Sequence, residues 1–368
     1  MDNSRIIIAG GGTGGHLFPA IAIGEEIKER FPKTEIHFIG SNFGLEAKVF
    51  PVKDLLHTLL PIRGLQRGLS FNSILKNLIL PFRIIKSLLK LRIIFKEFNP
   101  TLIIGTGGYA SALPLFMATM KKKSIPIVLQ EQNSFPGMTT RWFSKKANLI
   151  CVAFKTNNLN FDKKLVVTGN PIRKNITTGD RALALKVYNM NIKKNTLFVF
   201  GGSQGSAVLN KSLESIINKF DNQSIQVLWQ TGDNDYNKYK KYKSDTIKIV
   251  PFINDMAAAY ALSDLVVCRS GALTLSEVTT CGKPSILIPF AAAAGNHQMK
   301  NADTLFQAGA SILIEEKDLN SNKLLKDINY LINNKNTLEK MSIAAKNLGK
   351  PNATKKITDH VIHMVSNV

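Results

Sequence analysis

A chain of 368 residues, 44% hydrophobic and 20% charged, is long enough for two ordinary hydrophobic cores, and its composition excludes a disordered or fibrous chain. The formal charge of +22, from 48 basic against 26 acidic residues, points to an anionic partner: nucleic acid, a phosphorylated ligand or an anionic membrane surface. Three cysteines, Cys151, Cys268 and Cys281, form no C-x-x-C pair and read as reduced thiols rather than a disulfide framework.

The residues from Met1 lead directly into an apolar run, Arg5 to Ala9, leaving no room for a signal peptide, so an unexported protein is expected. That run meets Gly10-Gly11-Gly12-Thr13-Gly14-Gly15-His16, followed by a helix-like segment, Leu17 to Arg30. Glycines without Cβ atoms before a helix N-terminus suit an anion, most often a phosphate. Gly10, Gly12 and Gly15 also satisfy the dinucleotide fingerprint, but the second strand, Glu35 to Ile39, runs into Gly40-Ser41 without the acid that would hold a ribose.

Further strand candidates are Thr101 to Gly105, Pro126 to Gln130, Leu149 to Val152 and Leu165 to Thr168, the pattern of buried parallel strands. A second glycine turn, Gly105 to Ser111, follows one of them and should face the same cleft as the first. The segment Phe71 to Phe98 breaks the rhythm: basic residues Lys76, Arg83, Lys86 and Lys90 at helical spacing, apolar residues elsewhere, and Pro81 starting or kinking a helix. It is too short in apolar run to span a bilayer. It reads either as a core helix with a basic face or as a surface helix pair dipping into anionic lipid, with Lys121-Lys122-Lys123 nearby in sequence.

After Gly169-Asn170-Pro171-Ile172-Arg173 the pattern restarts, with a plausible boundary over Asn175 to Asp180. Strands are expected at Thr196 to Phe200, Ile225 to Gln230, Ile247 to Val250, Leu265 to Cys268, Ser285 to Ile288 and Ser311 to Ile314. A third glycine turn, Gly201 to Ser206, precedes a helix from Ala207 to about Phe220. Helices are also expected at Met256 to Leu262, Leu273 to Cys281, Gln298 to Ala308 and Ala353 to Val365. Two doubly wound α/β domains facing a nucleotide-sized cleft follow from this order.

The chemistry-bearing residues cluster after strands. Backbone N–H groups at Leu273 and Thr274 can meet a diphosphate, and Glu277, one turn into that helix, is either a ligand for adjacent sugar hydroxyls or a dipole partner. Asn296-His297-Gln298 binds a sugar or caps a helix. Asp233-Asn234-Asp235 looks like a D-x-D metal motif but falls in a polar stretch read as a loop, and no other spacing suggests a metal. His16 is the only histidine in a glycine turn, where it is a base candidate or a plain ligand contact.

Seven motifs, in order, resemble the bacterial undecaprenyldiphospho-muramoylpentapeptide β-N-acetylglucosaminyltransferases. They are Gly11 to His16, Gly107-Gly108-Tyr109, Glu131-Gln132-Asn133, Gly169 to Arg173, Gly201 to Gly205, Cys268 to Thr274, and His297-Gln298 with Asn301-Ala302. The resemblance implies a GT-B fold: an N-terminal acceptor and membrane-associating domain over 1–168, joined by the last helix at about 351–368, and a donor domain over 169–350. It implies inverting transfer of N-acetylglucosamine from UDP-N-acetylglucosamine to the C4 hydroxyl of the lipid-linked muramoyl-pentapeptide, lipid I, to give lipid II. No cofactor, metal or nucleic acid is implied. Thr13, Gly14, Gly15, Asn133, Arg173, Ser203, Ile253, Ala272, Leu273, Thr274, Leu275, Ser276, Glu277 and Gln298 would line the donor site, with Glu277 on the ribose and Ile253 on the uracil, while the first two glycine turns face the acceptor diphosphate. His16 becomes the leading base, supported by Tyr109, Glu131 and Asn133. Ile74, Leu75, Leu78, Ile79, Phe82 and flanking lysines and arginines would dock on the inner leaflet, making the enzyme peripheral on the cytoplasmic face. Ser206 in place of a usual Ala, Gln130 in place of a frequent His, and the plain stretch Ala291 to Gly295 depart from the family. An NAD-dependent oxidoreductase and a non-catalytic basic module binding nucleic acid or membrane are the rival functions.

Overall fold

The short β-branched runs pair in parallel into two separate sheets, each wound with helices. The computed structural model describes residues 4–64, 75, 77–120, 125–154, 164–220 and 225–366. The first compact unit comprises Met1–Ile172 and Asn352–Val368, the second Arg173–Pro351.

The first unit runs β1 (Arg5–Ala9), α1 (Gly14–Arg30), β2 (Glu35–Ser41), α2 (Glu46–Val52), β3 (His57–Leu60), α3 (Leu80–Glu97), β4 (Leu102–Gly105), α4 (Tyr109–Thr119), β5 (Ile127–Glu131), α5 (Met138–Phe143), β6 (Leu149–Val152) and β7 (Leu165–Val167). Its sheet has the order β3-β2-β1-β4-β5-β6-β7. Alternating side chains feed two cores: Ile7, Ala9 and Ile103 lie on one face, Ile6, Ile8 and Ile104 on the other. The second face is completed by Ile357 and Val361 from the last helix, Ala353–Ser366, whose Asp359 pairs with Arg30 at 2.8 Å.

The second unit runs α6 (Arg181–Val187), β8 (Asn195–Phe200), α7 (Ala207–Glu214), β9 (Ile225–Gln230), α8 (Asp233–Tyr239), β10 (Ile247–Val250), α9 (Met256–Leu262), β11 (Leu265–Cys268), α10 (Ala272–Thr280), β12 (Ser285–Leu287), α11 (His297–Gln307), β13 (Ser311–Leu313), α12 (Ser321–Ile332) and α13 (Lys335–Leu348); the last helix of the first unit is therefore α14. Its sheet has the order β10-β9-β8-β11-β12-β13. In both sheets the winding reverses beside the first strand of the unit, between β1 and β4 and between β8 and β11. The register sets Ala9 beside Gly105 and Phe200 beside Cys268, so strand ends that carry the motifs flank both reversal points, where open α/β sheets bind ligands.

Several elements differ from the sequence reading. Strand β3 was not foreseen: His57-Thr58-Leu59-Leu60 is short and half polar because it is the sheet's edge. Asp233-Asn234-Asp235 opens helix α8 rather than lying in a loop, and Asp235 accepts from Asn210 Nδ2 at 2.8 Å, a structural contact. Among the described residues no group of His, Cys, Asp or Glu could hold a metal ion. The helix expected to reach Phe220 ends at Glu214 and resumes as a short 3-10 turn, Ile217–Lys219. Pro81 lies in the first turn of α3 and so starts that helix, where its missing N–H costs nothing. Ile74, Lys76 and Lys121-Lys122-Lys123 lie outside the described residues.

Candidate active site

In the first unit, the turn after β1 is built on a buried carboxylate. Glu46, with no solvent exposure, accepts the Gly12 N–H with both oxygens at 3.0 Å and the Ser41 N–H at 2.9 Å. The glycines are required by this approach: a Cβ on Gly11 or Gly44 would meet the Glu46 carboxyl, and Gly12 holds φ 89°. The Gly12 N–H is therefore committed to the protein, and the amides left for an anion are those of the first turn of α1. That helix has Thr13 as N-cap without a side-chain cap and no acid in its first turn. Thr13 and Gly15 are exposed. The end of β2 offers no ribose acid: Ser41 donates its hydroxyl to Ile62 O at 2.6 Å, and the nearby Glu46 lies under the turn.

The turn after β4 packs directly on the first. Gly107 and Gly108 hold φ 95° and 76°, and a Cβ on Gly107 would come within 2.8 Å of His16 Nδ1, so glycine here lets the imidazole lie flat on the backbone. His16 is half-buried, and its Nδ1 faces two acceptors, Thr106 O at 3.0 Å and Gln132 Oε1 at 2.8 Å. Both are oxygens without protons, so Nδ1 carries the hydrogen of the neutral ring and Nε2 holds the lone pair. Gln132 is in turn held by Thr106 O at 2.7 Å and by the backbone and side-chain oxygens of Gln130. Asn170 joins the cluster: it accepts from Gln130 Nε2 and donates to Gln132 O, both at 3.1 Å. The sequence reading named Gln132 and Asn170 only as motif letters. Their work in orienting His16 was visible in no local pattern, since the three segments lie far apart in the chain.

Tyr109 lies against the first turn, where a Cβ on Gly12 would reach its Cε1 at 2.7 Å. Burial pushes its phenol up, Glu46 adds to this, and the Ser41 hydrogen bond and Arg63 oppose it, so the ring is a neutral support of the turn. Glu131 is spent on its own loop. One oxygen accepts from the Asn133 N–H at 3.0 Å and Asn133 Nδ2 at 3.3 Å, the other from Gly137 N–H at 2.8 Å and Thr140 Oγ1 at 2.6 Å. Such a carboxylate shapes the segment that presents Asn133, which is itself half-buried.

In the second unit, α10 starts at Gly271 without a side-chain cap, leaving the first-turn amides at Leu273 and Thr274 in place for an anion. Leu275 is buried and its N–H bonds Gly271 O, while the Ser276 hydroxyl bonds Ala272 O, so these two serve the helix itself. Glu277 is 13% exposed, accepts from Tyr260 Oη at 3.2 Å and lies 3.8 Å from Arg173 Nε. Burial raises its carboxyl above the ordinary value, with Arg173 and the Tyr260 hydrogen bond opposing. Gln298 accepts the Phe290 N–H at 3.0 Å, and its carbonyl accepts the Ser270 hydroxyl at 2.8 Å. Ile253 is 2% exposed and its N–H is already donated to Gln230 Oε1 at 2.8 Å. Ser203 is exposed on the third glycine turn, whose following helix differs from α1 and α10 in being capped: Ser206 accepts from the Leu209 N–H and from Arg269 Nε.

Arg269, missed as a contributor, ties this end of the sheet together. Its guanidinium also reaches Ile288 O, Pro289 O and both oxygens of Glu316, so one cation organises the ends of β11, β12 and β13. Ser206, the departure from a usual alanine, is thereby explained by two hydrogen bonds that alanine lacks.

Residues 6–152 match the model of the glycosyltransferase family 28 N-terminal domain, and residues 196–357 that of the family's C-terminal domain. The chain belongs to glycosyltransferase family 28. It is 38% identical over 366 residues, 99% of this chain and 98% of the relative, to the UDP-N-acetylglucosamine--N-acetylmuramyl-(pentapeptide) pyrophosphoryl-undecaprenol N-acetylglucosamine transferase of Christiangramia forsetii. It is 40% identical over 373 residues to the transferase of the same name from Finegoldia magna, covering 98% of each. Among solved structures it resembles MurG of Acinetobacter baumannii, with a TM-score of 0.74 and 25% identity over 99% of this chain and 100% of the other. The calicheamicin glycosyltransferase CalG4, at 12% identity and a TM-score of 0.69, shares the fold alone. The fold is thus GT-B, and the chain is a glycosyltransferase rather than a dinucleotide oxidoreductase or a non-catalytic basic module.

Proposed function

We infer that this chain transfers N-acetylglucosamine from UDP-N-acetylglucosamine to the muramyl-pentapeptide carried on pyrophosphoryl-undecaprenol, the step that turns lipid I into lipid II. Full-length relatives at 38% and 40% identity bear this activity in their names. The geometric observation that carries it is His16, whose Nδ1 is engaged by two acceptors at the reversal point of the first sheet.

In this reading the first unit holds the acceptor. His16 Nε2 takes the proton of the muramoyl C4 hydroxyl as that oxygen forms its bond to C1 of the donor sugar. The bond from C1 to the diphosphate breaks, UDP leaves with the electron pair, and the configuration at C1 inverts. The exposed first-turn amides at Thr13 to Gly15 serve a diphosphate, Asn133 offers an amide to the sugars, and Glu131 and Tyr109 shape the loops rather than move protons. The second unit holds the donor. Leu273 and Thr274 N–H groups meet the leaving diphosphate at a helix N-terminus, stabilising charge that develops as UDP departs. Glu277, set by Tyr260 and Arg173, takes the ribose hydroxyls, and Gln298 and Ser203 flank the sugar-nucleotide. Because the Ile253 N–H is committed to Gln230, uracil recognition at that residue falls to its carbonyl.

The membrane is met through α3 and the two residues that precede it. Leu78, Ile79, Phe82, Ile85, Leu89 and Ile93 are exposed large apolar residues recurring at helical spacing, with Phe82 at 74%. The helix carries Arg83, Lys86, Lys90, Arg92 and Lys96 and no acid before Glu97. An apolar stripe flanked by cations suits an anionic leaflet, and among the described residues no helix is long and apolar enough to cross one. In this reading the attachment is peripheral and at the cytoplasmic face, where a lipid-linked acceptor keeps its tail in the bilayer.

The test is transfer of labelled sugar from UDP-N-acetylglucosamine to a lipid I analogue, with UDP-glucose and NAD as competitors. Product with UDP-N-acetylglucosamine alone is expected, and His16→Ala should lower kcat by about a hundredfold or more. Full turnover in that variant removes His16 as the base.

A further inference from the structure

The side chains of Gln132, Gln130 and Asn170 form a buried chain beneath His16, all three no more than 2% exposed. Amides can face either way, but here backbone carbonyls leave no choice. Gln132 has its nitrogen end against Thr106 O at 2.7 Å and Gln130 O at 3.2 Å. Carbonyls accept only from N–H, so the Gln132 oxygen must face His16. Asn170 has its nitrogen against Gln132 O, so its oxygen faces Gln130, whose nitrogen must meet it; the remaining Gln130 oxygen then receives Gln132 Nε2. Every donor and acceptor along the chain thus points in one direction, and the chain ends on an acceptor aimed at Nδ1.

We propose that Gln132, locked by Gln130 and Asn170, is a positioning residue that, together with the Thr106 carbonyl, fixes His16 with its proton on Nδ1 and its lone pair on Nε2. The proposal rests on His16 being the base and adds the device that keeps the base in one tautomer. A neutral amide does this without placing a carboxylate beside the ring, so the imidazole is oriented without an ion partner. Asn170 gains a place in acceptor-side chemistry, although its motif neighbour Arg173 belongs to the donor unit. Gln130, standing where relatives of this kind often carry His, becomes the link that transmits the orientation.

Two variants at Gln132 separate an acceptor from mere bulk. Gln132→Met keeps the volume and removes the acceptor. Gln132→Glu in its protonated form keeps the carbonyl oxygen toward His16 and one O–H donor toward Gln130, giving up the second donor that the amide offers Thr106 O. Ring-nitrogen spectra of histidine-labelled full-length protein report the His16 tautomer directly, independently of turnover. The wild type and Gln132→Glu should show the Nδ1–H tautomer, while Gln132→Met, keeping Thr106 O but losing the shorter of the two Nδ1 contacts, shows a mixture. Gln132→Met should lower kcat by about tenfold or more, with both KM values within about twofold, and Gln132→Glu should lie within about threefold of wild type. A wild-type tautomer and kcat in Gln132→Met, or a loss in Gln132→Glu as deep as in Gln132→Met, would overturn the proposal. His16→Ala tells the two failures apart. Retained turnover there sinks the base assignment, whereas lost turnover with an unmoved tautomer in Gln132→Met sinks the positioning role alone.

Discussion

Both carboxyl oxygens of Glu46 lie 3.0 Å from the Gly12 N–H, so the first glycine turn closes around an acid of the protein's own. The turn is a wall built on Glu46, and the amides left open to an anion are those of the first turn of α1. Because a buried carboxylate with several N–H donors is replaced poorly by an amide, Glu46→Gln should lower unfolding free energy by about 2 kcal/mol in a denaturant titration. It should also raise the acceptor KM while the donor KM stays unchanged.

Glu277 is predicted to trade stability for binding. Its folded carboxyl titrates above the ordinary value because burial disfavours the charge, so the ionised form costs stability in the empty protein at neutral pH, and that cost disappears as pH falls through the raised value. Glu277→Gln should therefore melt at the same temperature or higher, yet raise the donor KM by about tenfold or more through loss of charged acceptors for the ribose. The wild-type donor KM should rise as pH falls into the region just above the ordinary carboxylate range. A donor KM flat across that region would count against Glu277 as a carboxylate ligand.

The Arg269–Glu316 pair behaves oppositely. Burial would raise the Glu316 carboxyl, but the Ala291 N–H and the Arg269 guanidinium more than offset it, leaving the group below its ordinary value. Its contribution is present above the unfolded value and is lost as pH falls through the folded one. Glu316→Gln takes away the charge opposite Arg269 and one of the five oxygens its guanidinium reaches, and should destabilise by about 2 kcal/mol, measured by urea unfolding at neutral pH.

Phe82→Glu with Ile85→Glu should reduce cosedimentation with anionic vesicles by about tenfold or more, since each change removes an apolar side chain from the lipid and adds repulsion. Transfer to a water-soluble acceptor analogue should stay within about twofold of wild type. Loss of both together would mean that α3 supports the fold rather than the membrane contact.

The thiols should be silent. Burial pushes Cys151 up to about 12 and, with Lys283 opposing and Glu277 adding, Cys281 up to about 12, while Cys268 is fully buried and pushed up further. Native protein treated with iodoacetamide at pH 7.5 should show no alkylation by mass spectrometry within an hour at 25 °C, an incubation of about the length that labels an exposed thiol.

What the sequence determined by itself is what short-range chemistry encodes. Strands such as Arg5–Ala9, Leu149–Val152, Ile225–Gln230 and Leu265–Cys268 were legible to the residue, because a parallel strand buried on both faces must be a largely apolar run bounded by turn residues. The glycine turns at Gly10, Gly105 and Gly201 were legible for the same local reason. Where polarity is mixed by a sheet edge, as at His57–Leu60, or where an acid opens a helix, as at Asp233, the local signal misled. The site's inner workings belong to tertiary structure alone. Glu46 under Gly12, Arg269 bridging to Glu316, and Gln132 against His16 join residues separated by 34, 47 and 116 positions. A polar side chain in the sequence carries no sign of its partner. Only the folded chain decides whether it faces a substrate or, like Glu131 and Gln132, holds the backbone and ring that do.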